Sequence, residues 1–284
     1  MLETPRRRQR LSVALPASFT KDIPHLREKT SRAGIIARAL AIFRTDEAII
    51  YQDELKTASQ NEGKLLEKLL SYQETPQYIR RTIFAKDPDL QFAGILPPLR
   101  LPSHPSAEKP RIGLVRDAVV VREGNHSAVD AGLDRLVNVG LQLKRQERVT
   151  VRLTRTTPRL EGELVEPSRL PIYWGFRVTR KDFTLGRLIR EERVDLLIST
   201  SRKGRLVRDV LQDLGSKWKS SHRTLILFGS PDEGVPEMLS REGIEVEKAC
   251  NFNLNMIPDQ GVATVRTEEA LIATLSTLNL LEEK

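Results

Sequence analysis

The chain has 284 residues, of which 39% are hydrophobic and 30% are charged. This composition supports a folded core in one large domain or two modest ones. No apolar run is long enough to cross a membrane, and the basic N-terminus leads into a strand pattern, so we expect neither membrane insertion nor secretion. The single cysteine, Cys250, excludes intrachain disulfides and cysteine-based zinc sites, and it predicts a buried thiol and a cytoplasmic location. The four histidines lack paired spacing, so we expect no metal.

The chain has a net charge of +8, and the excess of positive charge lies in its first 164 residues. Residues 1–90 contain 16 basic and 12 acidic residues, residues 91–164 contain 12 and 8, and residues 165–284 contain 18 of each. Such an excess favours a polyanionic partner such as RNA, bound mainly through the first two segments. Scattered, solvated surface charge is the alternative explanation.

The first segment alternates between strand and helix patterns. Its apolar periodicity predicts, in chain order, a strand at 11–19, a helix at 26–40, strand pieces at 41–43 and 48–51, and helices at 63–70 and 77–84. Pro76 precedes the last helix, which is a common place for proline. We interpret residues 1–90 as the first part of an α/β domain.

A proline-rich stretch then marks a boundary. Six prolines fall between Asp87 and Pro110, and such a run cannot continue a helix or occupy a central strand. Short β-rich pieces follow, separated by turn residues, at 113–121, 128–134, 136–143 and 149–154. Closely spaced short strands suggest a small barrel, so we predict an inserted all-β domain at 91–164 that resembles an OB fold.

After Pro167 strands and helices alternate again. The predicted strands are 172–178, 194–199, 225–228 and 244–249, and the predicted helices are 185–192, 206–214, 236–242 and 268–281. Alternation of this kind implies a parallel sheet with helical crossovers. We therefore predict that residues 165–284 complete the α/β domain begun by residues 1–90, with all of its strands in one sheet.

Two loops in the last sixty residues combine glycine, proline and acidic or amide residues. The loop Gly229–Gly234 follows an apolar strand, and the loop Asn255–Gly261 leads to a helix that begins near Arg266. Such loops place backbone N–H groups at the carboxyl edge of a sheet, where α/β proteins bind small ligands. Neither a dinucleotide fingerprint nor a phosphate loop occurs, so NAD and ATP are not favoured. Taken singly, each loop could be an ordinary strand-to-helix turn.

Together these loops carry a family resemblance. Phe228–Gly234 and Asn255–Ala270 resemble the S-adenosylmethionine-binding region of the SPOUT (α/β-knot) methyltransferase superfamily. Gly34–Glu47 and Phe84–Pro98 resemble its archaeal and eukaryotic branch, which carries an inserted OB-like barrel. The resemblance covers most of the chain, and it implies a C-terminal trefoil knot, an S-adenosyl-L-methionine cofactor and a homodimer.

The resemblance also implies which residues bind the methyl donor. They are Thr200, Gly229, Ser230, Gly234, Asn255, Ile257, Pro258, Gln260, Gly261, Arg266 and Thr267. Leu254, Ile257 and Val262 would supply apolar walls. Glycines in these loops would let the backbone approach the ligand, although they could equally be turn residues.

Catalysis is expected to depend on an arginine. In the family an arginine reaches the pocket across the dimer interface, and Arg38 is the first candidate, with Arg32 and Arg266 behind it. A fixed positive charge there would stabilise a deprotonated base. An ion pair of Arg38 with Asp46 or Glu47 is the alternative. Asp232 and Glu233 could orient the acceptor, but loop carboxylates are more often solvated.

The predicted barrel supplies most of the candidate RNA contacts. They are Arg111, Arg116, Arg122, Lys144, Arg145, Arg152, Arg155 and Arg159. Tyr173, Trp174 and Phe176 could stack on bases or pack at a domain junction. We therefore predict an S-adenosylmethionine-dependent methyltransferase that modifies a base in structured RNA, either rRNA or tRNA. A catalytically inactive RNA-binding or assembly factor, and a protein methyltransferase, are the alternatives.

Overall fold

A computed structural model describes residues 4–54, 57–105 and 108–282 of the chain. The chain divides into two compact units, each built from separate stretches of sequence. We call the first the barrel unit; it comprises the described residues of 1–6, 72–91 and 98–175. We call the second the sheet unit; it comprises the described residues of 7–71, 92–97 and 176–284. Residues 106–107 of the predicted proline-rich boundary lie outside the described residues.

The first part of the chain folds largely in the predicted order. Its elements are β1 (Arg10–Pro16), α1 (Leu26–Ile42), β2 (Glu47–Tyr51), α2 (Thr57–Glu74) and α3 (Gln77–Ile83). The strand piece predicted at 41–43 is wrong, because α1 continues to Ile42. Burial at Ala37, Leu40 and Ala41 keeps the helical period, and the chain turns only at Arg44, whose φ is 52°.

Five strands close into a small barrel. They are β3 (Val115–Arg122), β4 (Ser127–Asp130), β5 (Val137–Val139), β6 (Arg148–Arg155) and β7 (Leu160–Leu164). Their order around the barrel is β3-β4-β5-β7-β6, and β5 and β7 are paired in parallel. Aliphatic side chains such as Val120, Val137 and Leu153 fill the interior. The prediction of a small barrel is confirmed.

A buried polar network lies beside the barrel core in the same unit. The Arg148 guanidinium donates to Glu74 Oε2 at 2.5 Å and to Asp117 Oδ2 at 2.5 Å. Asp117 Oδ1 also accepts from the Trp174 indole at 2.8 Å. Because Tyr173, Trp174 and Phe176 are all buried, packing describes them better than stacking on bases.

The last part of the chain alternates strands and helices. Its elements are β8 (Arg177–Arg180), α4 (Leu185–Glu191), β9 (Leu196–Leu206), α5 (Leu211–Ser220), β10 (Arg223–Leu227), α6 (Val235–Arg241), α7 (Val246–Ala249), β11 (Phe252–Asn255) and α8 (Thr267–Asn279). Short 3₁₀ turns occur at Pro88–Leu90, Ala93–Ile95, Pro167–Arg169 and Val207–Val210.

Three expectations for this part need correction. The strand predicted at 244–249 is wrong: Val246–Ala249 is helical, and the strand is Phe252–Asn255. Val246, Ala249 and Cys250 pack into the sheet-unit core while Lys248 is exposed, which is the i, i+3, i+4 spacing of a helix and not the alternation of a strand. The helix predicted from residue 206 starts at Leu211, and the strand predicted from residue 172 starts at Arg177.

All six strands of the sheet are parallel, in the order β11-β9-β10-β1-β2-β8. Strand β1 lies between β10 and β2, so the N-terminal strands join the C-terminal ones in one sheet, as predicted. Its consecutive residues Val13, Ala14 and Leu15, which point to opposite faces of the sheet, are all fully buried, as expected for a central strand covered on both faces. Among the described helices, none is both long enough and apolar enough to span a membrane.

Candidate active site

A pocket opens in the sheet unit at the carboxyl ends of β9, β10 and β11. Its volume is about 390 Å³, which falls within the usual range for a small-molecule site. Three stretches of chain form its walls: residues 200–203 of β9, the loop 228–234 after β10, and residues from 254–274, which run from the end of β11 into α8. We call this cavity the sheet-edge pocket.

The loop after β10 is a tight turn. The Ser230 amide donates to the Glu233 carbonyl at 2.9 Å, and the Glu233 amide donates to Ser230 Oγ at 3.1 Å. A Cβ on Gly229 would lie 2.8 Å from the Glu233 carbonyl oxygen, closer than such atoms approach. The Tyr51 hydroxyl donates to the Phe228 carbonyl at 2.7 Å and anchors the strand end just before the turn. Glycine at 229 is therefore a steric requirement of this wall.

The stretch after β11 is tied to the other two walls. Asn255 Nδ2 donates to the Arg202 carbonyl at 3.0 Å, and Arg202 Nη1 donates to the Ala263 carbonyl at 2.7 Å. The Thr267 hydroxyl donates to the Gly229 carbonyl at 3.4 Å, where α8 begins. Hydrogen bonds between the three walls thus hold the pocket together.

Charged side chains surround the pocket. Lys203 Nζ lies 2.8 Å from Glu237 Oε1, and this ammonium holds the pKa of the Glu237 carboxyl below its usual value. Lys21 contacts both Glu54 and Asp232, and these carboxylates raise the pKa of its ammonium. The Glu237 carboxyl is therefore ionised at neutral pH.

Eight of the eleven residues implied for the methyl donor line the sheet-edge pocket. These eight are Thr200, Gly229, Ser230, Gly234, Asn255, Ile257, Gln260 and Thr267. Pro258, Gly261 and Arg266 belong to the same stretch but do not line it, and neither does Val262, which is exposed. The Arg266 amide instead donates to Glu269 Oε2 at 2.9 Å, as a cap at the start of α8.

Sequence reasoning missed several lining residues. Arg202 and Lys203 follow directly after a predicted strand end, so position alone could have suggested them. Ala270 and Thr274 lie four residues apart on α8, a spacing that places both on one helix face. Glu237 also lines the pocket, but the sequence did not suggest it because it lies after the loop, in the first turn of α6.

The two arginines proposed for catalysis lie on α1, outside the lining of the pocket. Arg32 Nε lies 3.4 Å from the buried carboxylate of Glu268, and its Nη1 lies 3.5 Å from Asp22. Arg38 is half-buried. Within one chain, therefore, neither guanidinium forms part of the pocket wall.

The candidate RNA-binding residues differ in exposure. Arg111, Arg122, Lys144, Arg145, Arg155 and Arg159 are exposed, and Arg152 is half-buried. Arg152 and Arg155 pair with Glu163 and Glu161 across the β6–β7 ladder. Arg116 is different: its residue is 2% exposed, and its Nε donates to the Ala131 carbonyl at 3.1 Å. We therefore leave Arg116 out of the RNA-binding set.

The fold and the pocket together define an α/β protein with a pocket of small-ligand size at the carboxyl edge of a parallel sheet. The chain belongs to the family described as "Putative RNA methyltransferase", which matches residues 10–278. The prediction of an RNA-modifying methyltransferase is thus confirmed. Among the residues that the structure describes, no His, Cys, Asp or Glu cluster could hold a metal ion.

Relatives of the chain share almost its full length. An uncharacterized protein of Halobacterium salinarum is 33% identical, with 95% of this chain and 99% of the relative covered. The human 28S rRNA (uridine-N(3))-methyltransferase is 32% identical, with 94% and 77% covered. The Drosophila melanogaster protein of the same name is 29% identical, with 94% and 61% covered. The similarity therefore includes both the barrel and the sheet.

Proposed function

We propose that the protein transfers a methyl group from S-adenosyl-L-methionine to N3 of a uridine in ribosomal RNA. The names of the human and fly relatives, which are similar over 94% of this chain, support the acceptor. The sheet-edge pocket, where three strand ends meet, is the observation that carries the proposal. Its volume suits a ligand of nucleoside size.

The residues of the pocket fit the donor. Leu254 and Ile257 offer apolar walls, and the loop after β10 offers backbone polar groups for the purine and the amino acid end. Thr274 lines the pocket, and its buried hydroxyl has no hydrogen-bond partner among the described residues, as expected of a group that a ligand satisfies. When bound, S-adenosylmethionine supplies an electrophilic methyl group.

The acceptor uridine requires a positive charge nearby, because N3 must lose its proton before it can attack. Fixed cations stabilise such an anion without rearranging when the charge develops. We propose Arg38 as this cation, with Arg32 supporting it, each acting from the partner copy of a homodimer. This assignment agrees with their position outside the pocket of their own chain.

The surface of α1 supports the homodimer. Ile35 is 40% exposed and Ile42 is 56% exposed, and Arg38 lies between them on the same helix face. Exposed large apolar residues on one face favour burial by another surface. We propose that this face packs against a second copy of the chain.

The order of the strands supports a C-terminal knot of the SPOUT type. Strand β11 is at the edge of the sheet, whereas α8, which follows it, packs against α1. The connecting stretch from 256 to 266 must therefore return past β9 and β10, whose loops line the same pocket. We propose that the segment leading to α8 passes through the backbone loop that these connections form, which makes the knot.

We further propose that residues 91–164 act as an RNA-binding domain inserted between 1–90 and 165–284. Exposed Arg122, Lys144 and Arg145 on this segment would bind phosphates.

The whole proposal is tested by incubating unmodified large-subunit ribosomal RNA with the protein and isotope-labelled S-adenosylmethionine. Labelled 3-methyluridine in the nucleoside digest is expected. Label in protein alone would indicate a protein methyltransferase, and donor-independent RNA binding without label would indicate an inactive factor.

A further inference from the structure

Strand β9 departs from its partner β11 beside the pocket. Ser199 pairs with Asn253, but the next residue of β11, Leu254, pairs with Arg205. Residues 200–204 therefore have no counterpart on β11, and we call them the β9 excursion. Its end at Gly204 depends on a close backbone approach, since a Cβ there would lie 2.7 Å from the carbonyl carbon of Leu254. The glycine makes this excursion a built feature of the sheet.

The β9 excursion is held rigidly against the opposite wall. The Arg202 carbonyl accepts from Asn255 Nδ2, and the Arg202 guanidinium donates to the Ala263 carbonyl. At the other end, the Thr200 hydroxyl donates to the Leu227 carbonyl at 2.8 Å. The excursion therefore presents its side chains in a fixed direction at the pocket, as a preorganised binding element requires.

Positive charge in the β9 excursion and in the residues that follow it, 205–208, is only partly neutralised. Lys203 pairs with Glu237 at 2.8 Å, and Arg208 pairs with Asp259 at 3.3 Å. By contrast, Arg202 donates to a neutral carbonyl, and exposed Arg205 forms no ion pair with any residue that the structure describes. Within the described part of the chain, two guanidinium groups are therefore left without a carboxylate partner: that of Arg202, which lines the pocket, and that of Arg205, whose backbone pairs with the pocket residue Leu254.

We propose that Arg202 and Arg205 bind a phosphate of the RNA backbone beside the nucleotide that is methylated. This inference rests on the proposed function, because it assigns a subsite for the same substrate. A guanidinium recognises phosphate through two parallel N–H···O bonds, and it remains charged at any physiological pH. The excursion would thereby position the acceptor nucleotide at the pocket, in addition to any contacts of the barrel unit.

The test compares Arg205→Gln with Arg223→Gln. Both remove one charge from an exposed arginine of the sheet, but Arg223 lies at the amino end of β10, opposite the pocket edge. With in vitro transcribed large-subunit ribosomal RNA, Arg205→Gln is expected to raise KM about tenfold and to leave kcat nearly unchanged, as for a lost phosphate contact. Its binding to a fluorescein-labelled oligouridylate should also lose about 0.7 from the salt slope. Equal KM values in the two variants would reject the subsite.

A second measurement needs no variant. RNA containing 4-thiouridine is crosslinked to the wild-type protein, and the attached peptides are identified by mass spectrometry. Crosslinks within 200–208 are expected, whereas crosslinks confined to 115–164 would overturn the proposal. The same wild-type samples are digested for 3-methyluridine: its absence would reject the proposed function, while its presence together with an unchanged KM in Arg205→Gln would reject only the phosphate subsite.

Discussion

At the scale of single residues, Gly229 is where β10 turns into the wall of the pocket. We predict that Gly229→Ala weakens the binding of S-adenosylmethionine about tenfold or more, because overpacking a tight site costs about 1–3 kcal/mol. The added methyl group would meet the Glu233 carbonyl and the Gly234 Cα, and neither can move without opening the turn. Isothermal titration calorimetry measures the change.

The matched control is Gly94→Ala. A Cβ at position 94 has no neighbouring atom within 4 Å, so the same chemical change should leave donor affinity unaltered. Similar losses of affinity in both variants would show that the effect of Gly229→Ala is not local to the turn.

Arg38 is the residue on which proposed catalysis depends. Arg38→Ala is expected to lower the rate of methyl transfer by about 10²-fold while donor affinity stays the same, because one preorganised charge is lost from the reacting site. Arg27→Ala, which removes an exposed arginine from the first turn of the same helix, is the control. Single-turnover kinetics distinguishes the two, and unchanged turnover in Arg38→Ala would reject this role.

At the scale of elements, the buried polar network joins the end of α2 to the barrel. His104 Nε2–H donates to the Glu74 carbonyl at 2.6 Å, and burial lowers the pKa of His104 to about 4. Burial also raises the pKa of the Glu74 carboxyl to about 7, despite its pairing with Arg148. Protonation of His104 therefore opposes folding, whereas protonation of Glu74 favours it.

This network predicts a pH dependence that a single substitution isolates. The folded-state pKa of His104 lies below its unfolded value, so the unfolded state takes up a proton first as the pH falls. The free energy of unfolding is therefore unaffected by His104 above about pH 6.5 and decreases as the pH falls toward 4. His104→Gln keeps a donor for the Glu74 carbonyl but cannot be protonated. Compared with this variant, the wild type should lose up to about 3 kcal/mol more unfolding free energy over that range.

Urea unfolding followed by tryptophan fluorescence checks this result. The chain contains two tryptophans, and a Trp218→Phe background leaves Trp174 to report on the barrel unit. Because Glu74 is present in both proteins, its opposing effect cancels in the difference. Parallel pH profiles for the two proteins would show that the buried imidazole does not set this dependence.

At the scale of the whole molecule, the exposed apolar face of α1 predicts self-association. Ile42→Glu should convert a dimer to a monomer, because a carboxylate buried in an apolar interface carries a large desolvation cost. Methyl transfer should fall with it if Arg38 acts from the partner copy. Ile112→Glu, at an isoleucine that is 68% exposed in the barrel unit, is the control. Analytical ultracentrifugation gives the masses, and a monomeric wild type would contradict the prediction.

Much of this molecule was predictable from the sequence, because its determinants are local. The alternation of strands and helices, four of the five short strands of the barrel and the two pocket loops all follow from periodicity, turn residues and motifs close together in the chain, whereas the fifth barrel strand, Leu160–Leu164, was not predicted. Eight of the residues that the family resemblance implied for the donor site, including Gly229 and Thr267, line the pocket, since these short segments of chain form its walls.

Tertiary structure decided what depends on distant partners. Strand β11 at Phe252–Asn255 alternates apolar and polar residues over only four positions, too few to be recognised from sequence, and it forms because β9 pairs with it. Arg116 looked like a surface cation, but it is buried inside the barrel unit, where its Nε donates to the Ala131 carbonyl. The register break that produces the β9 excursion is likewise a relation between two strands some fifty residues apart. Strand pairing and burial of this kind depend on contacts between residues far apart in the sequence, so a local sequence pattern cannot predict them.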